Sequence, residues 1–505
     1  MRRARRLVAA GVGMATVAAM SIGGSVGATT SVKDYAEGTN GYETRSLFSV
    51  DDTVPRTDDA SQSYRMVGIP DGLGAHDTKT GAALYMNHEF TGSTTSQPLV
   101  GGPTYRGAIV SRFELDADGD PVSGDLAFRR VFQDETLVGR TATTDNSTPA
   151  FSRFCSAFLA GPDDGFDRYI YLAGEESGGI DTFDGRGGQS VAIVDGKAYA
   201  LSGMGHFAKE NQVVWPNDGK RTVVFPLEDG PTTPDSQLWM YVGHKKTSST
   251  NPIVKNGLFG GSLYVFVGDD AAVNEESVFT SGSIGGHWEK IEGADTMDES
   301  QLEAAADAAG AFGFVRVEDG AVSDANRNDF YFVTTGGNAA EGNDLGRLYR
   351  LELARRSPLG DPTIEIVYNA DTVVAGGGDI AISPDNIDIS SDAIMIQEDG
   401  TSSSRPVFAA KGREAGIWRL DFATGSVDAS TATLVAVLTP PGRDGVPIPV
   451  PGTWETSGII DTAGMFGGDT WIFDVQAHAP TTAPAAQTVE DGQLLMLVPA
   501  APGPV

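Results

Sequence analysis

A single cysteine, Cys155, stands among 505 residues, so no internal disulfide can form. In an exported chain a lone thiol is either buried and inert or a metal ligand or reactive group, and the neighbouring Arg153-Phe154 and Ser156-Ala157 leave both open. Basic residues are scarce as well: 36 stand against 68 acidic ones, for a formal net charge of -32. Such a surface repels phosphate backbones, which excludes nucleic acid as an expected partner. An acidic excess is also common in proteins of salty or extracellular habitats. Where part of it converges inside, bound cations must offset it. Beyond residue 28 no apolar run is long enough to span a bilayer. There is no His-Glu-x-x-His zinc motif, phosphate loop, dinucleotide glycine fingerprint or nucleophile elbow, so standard serine hydrolases and nucleotide enzymes drop out.

What the chain has in quantity is glycine and proline, 64 and 26 residues, spread evenly as in proteins built of short strands and tight turns. Length alone would allow roughly three domains at about 150 residues each. No linker or coiled-coil block divides the chain, and the reading is one large all-β domain over residues 66–500, preceded by an irregular arm at 29–65. Residues 1–28 read as an export signal: Arg2-Arg3 and Arg5-Arg6, a small-residue apolar stretch at 7–22, and Val26-Gly27-Ala28 as a cleavage site. The paired arginines point to the twin-arginine route. The expectation is a secreted or periplasmic protein with no membrane contact once the signal is removed.

Apolar runs of strand length recur at 237–242, 262–267, 329–333, 346–351, 416–421 and 470–475, rich in aromatic and β-branched residues. Some are wholly apolar and end in a carboxylate or glycine, as in strands covered on both faces. Others alternate, as in strands with one wet face. Radial repetition of small antiparallel sheets, a β-propeller, produces this recurrence and brings strand ends to one channel. No exact repeat is visible, so periodicity does not give a blade count. One helix is expected at 298–309, acidic at its start, Ala-rich and stopped by Gly310, as a small insertion.

The acids are not scattered. Pro384-Asp385-Asn386 precedes and Glu398-Asp399 ends the strand-like run 393–396, and Asn87-His88-Glu89, Glu175-Glu176 and Glu228-Asp229 follow comparable runs. Turn chemistry explains Asn, Asp and Gly here but does not call for paired glutamates after buried strands. Converging carboxylates need cations, and hard divalent ions such as calcium take several such oxygens. The candidate metal ligands are therefore Glu89, Glu175, Glu176, Glu228, Asp229, Asp385, Asn386, Glu398 and Asp399. Arg316 and Glu318, two apart, form either a structural salt bridge or an oxyanion grip beside a carboxylate. His478 follows an inner-type strand and is a candidate for the shared mouth.

In order along the chain, residues 68–75, Tyr85-Met86-Asn87-His88-Glu89, Gly174-Glu175-Glu176, Gly205-His206-Phe207-Ala208-Lys209-Glu210-Asn211, Arg316-Val317-Glu318-Asp319, Pro384-Asp385-Asn386 and Val475-Gln476-Ala477-His478 resemble the PhoX-type alkaline phosphatases. The resemblance covers roughly residues 65 to 500. It implies a six-bladed propeller, twin-arginine export, and an iron and calcium centre in the channel that hydrolyses phosphate esters. It also implies that Glu89, Glu175, Glu210, Glu318 and Glu398 hold metal, and that Arg316, Glu318 and His478 form the catalytic set with phosphate on Arg316 and His478. Two departures stand out. The family's Cys-Glu-Glu is Gly174-Glu175-Glu176 here, so the thiolate is either missing or supplied by Cys155. The family's Gly-Arg-Phe-x-His-Glu has His206 for Arg and Lys209 for His. The expected partner is a small-molecule phosphate ester and the expected state a monomer. The competing readings are a calcium-dependent lactonase or esterase on a propeller, which would use fewer carboxylates, and a non-catalytic calcium-stabilised binding propeller.

Overall fold

The computed structural model describes residues 30–501 apart from 218, 231–234, 355–356, 401–403, 424 and 440–452. Residues 1–28, expected to be an export signal of the twin-arginine kind, lie outside the described residues. Strands dominate, and the longer apolar ones are buried along their length: Ile170–Glu175, Lys209–Trp215, Asp329–Thr334, Ala393–Glu398 and Trp471–Ala477 expose no residue. Full burial on both faces is why they read as continuous apolar runs rather than alternating ones.

The strands form mostly antiparallel meanders, the exception being Arg130–Gln133, which pairs parallel with Lys197–Leu201. Each meander begins with an inner strand: Pro70–Asp77, Phe154–Ala160, Lys209–Trp215, Val317–Val322, Pro384–Ile389 and Glu455–Asp461. Each inner strand packs against the next, and Glu455–Asp461 packs back against Pro70–Asp77, so the arrangement closes on itself in a propeller-like way. The strands Ser283–Ile291 and Thr363–Asn369 join two meanders into one long sheet at their outer edges. Aromatic side chains fill the spaces between meanders, as where Phe225 stacks on Phe330 at 4.5 Å.

Residues 29–65, expected to be an irregular arm, carry the strands Ala36–Gly38, Tyr42–Ser49, Thr53–Pro55 and Ser63–Arg65. Tyr42–Ser49 pairs with Asp491–Pro499, so the last meander is completed by the beginning of the chain. The sequence of this segment lacks the long apolar run of an inner strand because it forms a sheet edge, where alternation is enough.

The helix falls at Glu299–Ala309. Asp298 caps it, accepting from the Gln301 backbone N–H at 3.0 Å while the Gln301 side chain reaches back, and Gly310 ends it in the left-handed conformation (φ 76°). Among the described residues no helix is long and apolar enough to cross a membrane.

Candidate metal centre

Every inner strand carries a bulge at the same place. Its pairing register shifts between Asp71 and Leu73, Phe154 and Ala157, Lys209 and Gln212, Val317 and Gly320, Pro384 and Ile387, and Ser457 and Ile459. A bulge sets two residues against one and re-aims a side chain. The first residues of these bulges are Asp71, Cys155, Glu210, Glu318, Asp385 and Ser457. The second residues bracket neighbouring sheets. Asn211 Nδ2 donates to Asp319 Oδ1 at 2.5 Å, the Ile387 N–H donates to Asp319 Oδ2 at 3.0 Å, and the Gly458 N–H donates to Asn386 Oδ1 at 2.8 Å. Asn386, a sequence candidate for metal, is thus engaged between sheets.

The paired acids at the ends of the second strands divide their work. Successive residues of an extended chain point to opposite sides, so only one of each pair can face the axis. Glu175 accepts from the backbone N–H groups of Ser152, Phe183 and Gln189 at 3.0, 2.9 and 3.3 Å. Glu228 accepts from the Gln237 N–H at 2.8 Å and Trp239 Nε1 at 2.7 Å. Glu398 takes the Ile382 and Gly416 N–H groups and both terminal nitrogens of Arg413. The sequence reading placed these three in the metal shell. The structure gives their oxygens protein partners and leaves them outside every group of converging ligand atoms among the described residues.

The alternate members Glu89, Glu176 and Asp229 meet the bulge residues. Three groups of potential ligand atoms lie within 4.8 Å of one another: Asp71, Glu89 and Cys155; Cys155, Glu176 and Glu210; and Glu210, Asp229 and Glu318. Cys155 and Glu210 are shared, so the groups form one arc. Gly174 faces the Cys155-Ser156 bulge across the ladder, since Phe154 pairs with Glu175 and Ala157 with Ala173. The only thiol therefore stands opposite the position where the family pattern puts one. Cys155 Sγ lies 3.0 Å from Asp71 Oδ2, and burial first, then Asp71 and Glu210, push the thiol up.

Electrostatics marks the arc as incomplete. Burial, followed by the charges of neighbouring acids, pushes Glu210, Glu318 and Asp385 well above the usual carboxylate range and Asp71 up to about 7. Glu455, partly buried and set against Asp399, is pushed up in the same way. Two guanidiniums answer this charge. Arg316 grips Asp229 through Nε at 2.7 Å and Nη2 at 3.1 Å and touches Glu318 Oε1 at 2.9 Å. Arg153 Nη2 lies 2.6 Å from Glu89 and 2.7 Å from Glu176. Although burial works against it, the Arg316 fork holds Asp229 down to about 2. Glu210 gains no such partner: its Oε1 accepts from the Ser156 N–H at 3.1 Å, but its buried Oε2 has no hydrogen bond. A buried carboxylate oxygen without a donor costs at least about 1–3 kcal/mol. Cations among these oxygens would remove that cost, so the residues present fit a site for hard divalent ions, with one sulfur for a softer metal.

Arg153, Arg316 and Ala208 stand two residues before their bulges and line, with Glu176, Asp229 and Glu299, an open cavity of about 550 Å³. Arg153 was not singled out by the sequence reading as a site residue, and neither were Asp71 and Glu455. The shared spacing Arg153-Phe154-Cys155 and Arg316-Val317-Glu318 is a signal that would have found the first. Pro70-Asp71-Gly72 beside Pro384-Asp385-Asn386 would have found the second. His478 is in none of the groups of converging ligand atoms among the described residues; it is exposed, with Nδ1 2.8 Å from Glu490 Oε2, and although burial works against it, the charges of Glu490, Glu89 and Asp399 push it up. His88 is buried between the Gly68 carbonyl and Ser111 Oγ.

The fold and the acid-lined arc define a strand-built, propeller-like protein with a candidate multi-ligand metal site. The model of the alkaline phosphatase PhoX family matches residues 194–435, and the resemblance carried by the motifs is to that family. The match supports a phosphatase. The solved structure of Pseudomonas fluorescens PhoX in complex with vanadate, a transition state analogue, is similar over 94% of this chain and 97% of that one, with 16% identity and a TM-score of 0.61, a likeness of fold. The Pseudomonas aeruginosa periplasmic gluconolactonase PpgL aligns over 79% of this chain and 96% of its own, at 12% identity and a TM-score of 0.34, too low to carry weight. No curated protein matches the sequence.

Proposed function

We propose that the protein is an exported metal-dependent phosphatase that hydrolyses small phosphate esters in the channel of a six-bladed propeller. The observation that carries this reading is the continuous arc of buried ligand atoms from Asp71 to Glu318, with the unpartnered Glu210 Oε2 at its middle and two guanidiniums at its rim. Six inner strands with six equivalent bulges support the blade number.

Asp71, Glu89, Cys155, Glu176, Glu210, Asp229 and Glu318 would hold the metals, with Asp385, Asp399 and Glu455 extending the set. Calcium suits the carboxylates, and iron suits the position of Cys155. When bound, such ions neutralise phosphate charge and activate water. The remaining work falls to this chain's own groups. Arg316 and Arg153 expose 23% and 40% of their side chains at the cavity while Asp229, Glu318 and Glu176 among their partners are buried. Their N–H groups can turn to phosphate oxygens and orient an ester without leaving their partners far behind. Asp229, held ionised by Arg316, keeps that guanidinium in place. Buried walls exclude water from the rest of the arc, which strengthens each of these contacts.

The test is elemental analysis of natively exported protein, with phosphomonoester turnover measured before and after chelation. Iron with several calcium ions and chelator-sensitive turnover are expected. Calcium alone with cleavage of lactones, or calcium-dependent stability with no turnover of any phosphate ester, would sink the reading.

A further inference from the structure

The segments that carry Glu89, Arg153 and Glu176 to the channel also wall a second cavity, of about 690 Å³. Its lining includes Thr91 and Ser93, just past Glu89, Ser152, just before Arg153, and Ser177 and Thr182, just past Glu176. Ser177 and Asp181 line both this cavity and that of Arg153 and Arg316, so the two adjoin. The short turn Gly179–Asp181 contributes to the shared wall and is held in place by Glu299, which accepts from the Gly179 N–H at 2.6 Å.

This wall is rich in hydroxyls and carries one guanidinium, that of Arg106. Ser152, 1% exposed, accepts from the Gly92 N–H at 3.2 Å and meets Ser177 Oγ at 2.9 Å, which fixes a hydroxyl pair where the cavities join. Arg106 differs from the guanidiniums of the channel mouth. Arg153 and Arg316 each touch two carboxylates. The half-buried Arg106 has no ion pair among the described residues, and its side chain makes a single hydrogen bond, from Nη2 to the Thr148 carbonyl at 2.9 Å. In a chain of net charge -32, a guanidinium that lines a cavity without an acid beside it is placed for an anion that the protein does not supply. Asp181 is the one carboxylate among the lining residues. It is exposed, so water and salt screen its repulsion, whereas Arg106 is partly withdrawn from water and gains more from a partner.

We propose, on the phosphatase reading, that this cavity receives the alcohol portion of the ester, and that the preferred substrates are phosphate monoesters of polyols bearing a second anionic group. Arg106 binds that second group while the scissile phosphate lies against Arg153 and Arg316. The serine and threonine hydroxyls offer both donors and acceptors to the hydroxyls of a polyol. Ile180, 86% exposed, lines the same cavity and loses apolar surface to the carbon skeleton of a bound ester. Arg106 sets specificity and takes no part in the bond cleavage.

The test measures kcat and KM of the metal-loaded full-length enzyme for glucose 6-phosphate, 6-phosphogluconate and glucose 1,6-bisphosphate, in the wild type, Arg106→Gln and Arg106→Lys. The wild type is expected to show a KM about 10-fold lower for a doubly anionic ester than for glucose 6-phosphate. Preference for 6-phosphogluconate identifies the second group as a carboxylate, and preference for the bisphosphate identifies it as a phosphate. Arg106→Gln is expected to erase this advantage through KM rather than kcat, and Arg106→Lys, which keeps the charge but not the fork, to retain part of it. A wild-type KM that is the same for all three esters, or an advantage that survives Arg106→Gln, overturns the proposal and leaves the phosphatase reading standing. Absence of turnover of these esters and of para-nitrophenyl phosphate alike sinks both.

Discussion

Arg316 and Arg153 occupy left-handed backbone, at φ 62° and 49°, as do Ile69 at 47° and Ser383 at 46°, each two residues before a bulge. Such a conformation costs a residue with a Cβ roughly 1–2 kcal/mol. The repeated kink turns the chain toward the axis, and at two positions it points a guanidinium at the acids. Replacing Arg316 by Ala and by Gly separates backbone from side chain. Both variants are expected to bind inorganic phosphate at least 10-fold more weakly, measured as product inhibition, while Arg316→Gly melts higher than Arg316→Ala because glycine bears the positive φ without strain. Equal phosphate inhibition in both variants and the wild type would remove Arg316 from substrate binding. At the centre of the arc, Glu210→Gln is expected to raise the melting temperature of chelated protein, since a buried acid that must take up a proton or carry an uncompensated charge is replaced by a neutral amide, and to lower metal content and turnover more than 10-fold.

At the scale of the strand, the acid pairs are the unit to examine. The first member of each anchors loop backbone and the second faces the channel, so neighbours in sequence have opposite phenotypes. Glu228→Gln weakens the acceptor of Trp239 Nε1 and the Gln237 N–H and is expected to cost about 1–3 kcal/mol in denaturant melts with metals retained. Asp229→Asn is expected to lose metal and loosen Arg316 instead. Metal loss in Glu228→Gln would show that the pair was divided wrongly. The pairs themselves were legible in the sequence because turns do not require two glutamates after a buried strand. Their division was not, because it depends on where the register of the inner strand shifts, and no residue type announces that shift.

Over the whole molecule, ring closure and titration are the collective properties. The strand Tyr42–Ser49 closes the last sheet by pairing with Asp491–Pro499, so removing residues 30–50 is expected to lower the melting temperature and release the channel metals together. Retained metals in the truncated chain would place the centre in a part that stands without closure. Past the bulges the channel continues as a cavity of about 240 Å³ whose lining includes Asp164 and Asp388. Burial first, then neighbouring acids such as Asp163 and Asp461 and against the backbone N–H groups they accept, pushes Asp164 up to about 6 and Asp388 up to about 7. Folded values above the unfolded ones mean that the folded state holds these protons more tightly. The stability they contribute is complete below about pH 4 and is lost as pH rises through 6 to 7. Metal-free protein is therefore expected to melt progressively lower between pH 5 and 8, and Asp388→Asn to flatten that slope. A melting temperature that rises over this range would contradict the buried, proton-binding acids.

The chain's sequence by itself determined its all-β character, the helix at 299–309 with its cap and stop, and an excess of carboxylates at the ends of apolar strands, because each is written in local patterns of burial and turn chemistry. The tertiary structure alone decided which carboxylates meet. Bulges re-aimed Asp71 and Cys155 toward the axis, kinks brought Arg153 beside Glu89 and Glu176, and pairing between the two ends of the chain closed the ring. Convergence of charges from distant strands is a property of closure and register, and these are set by contacts between residues hundreds of positions apart.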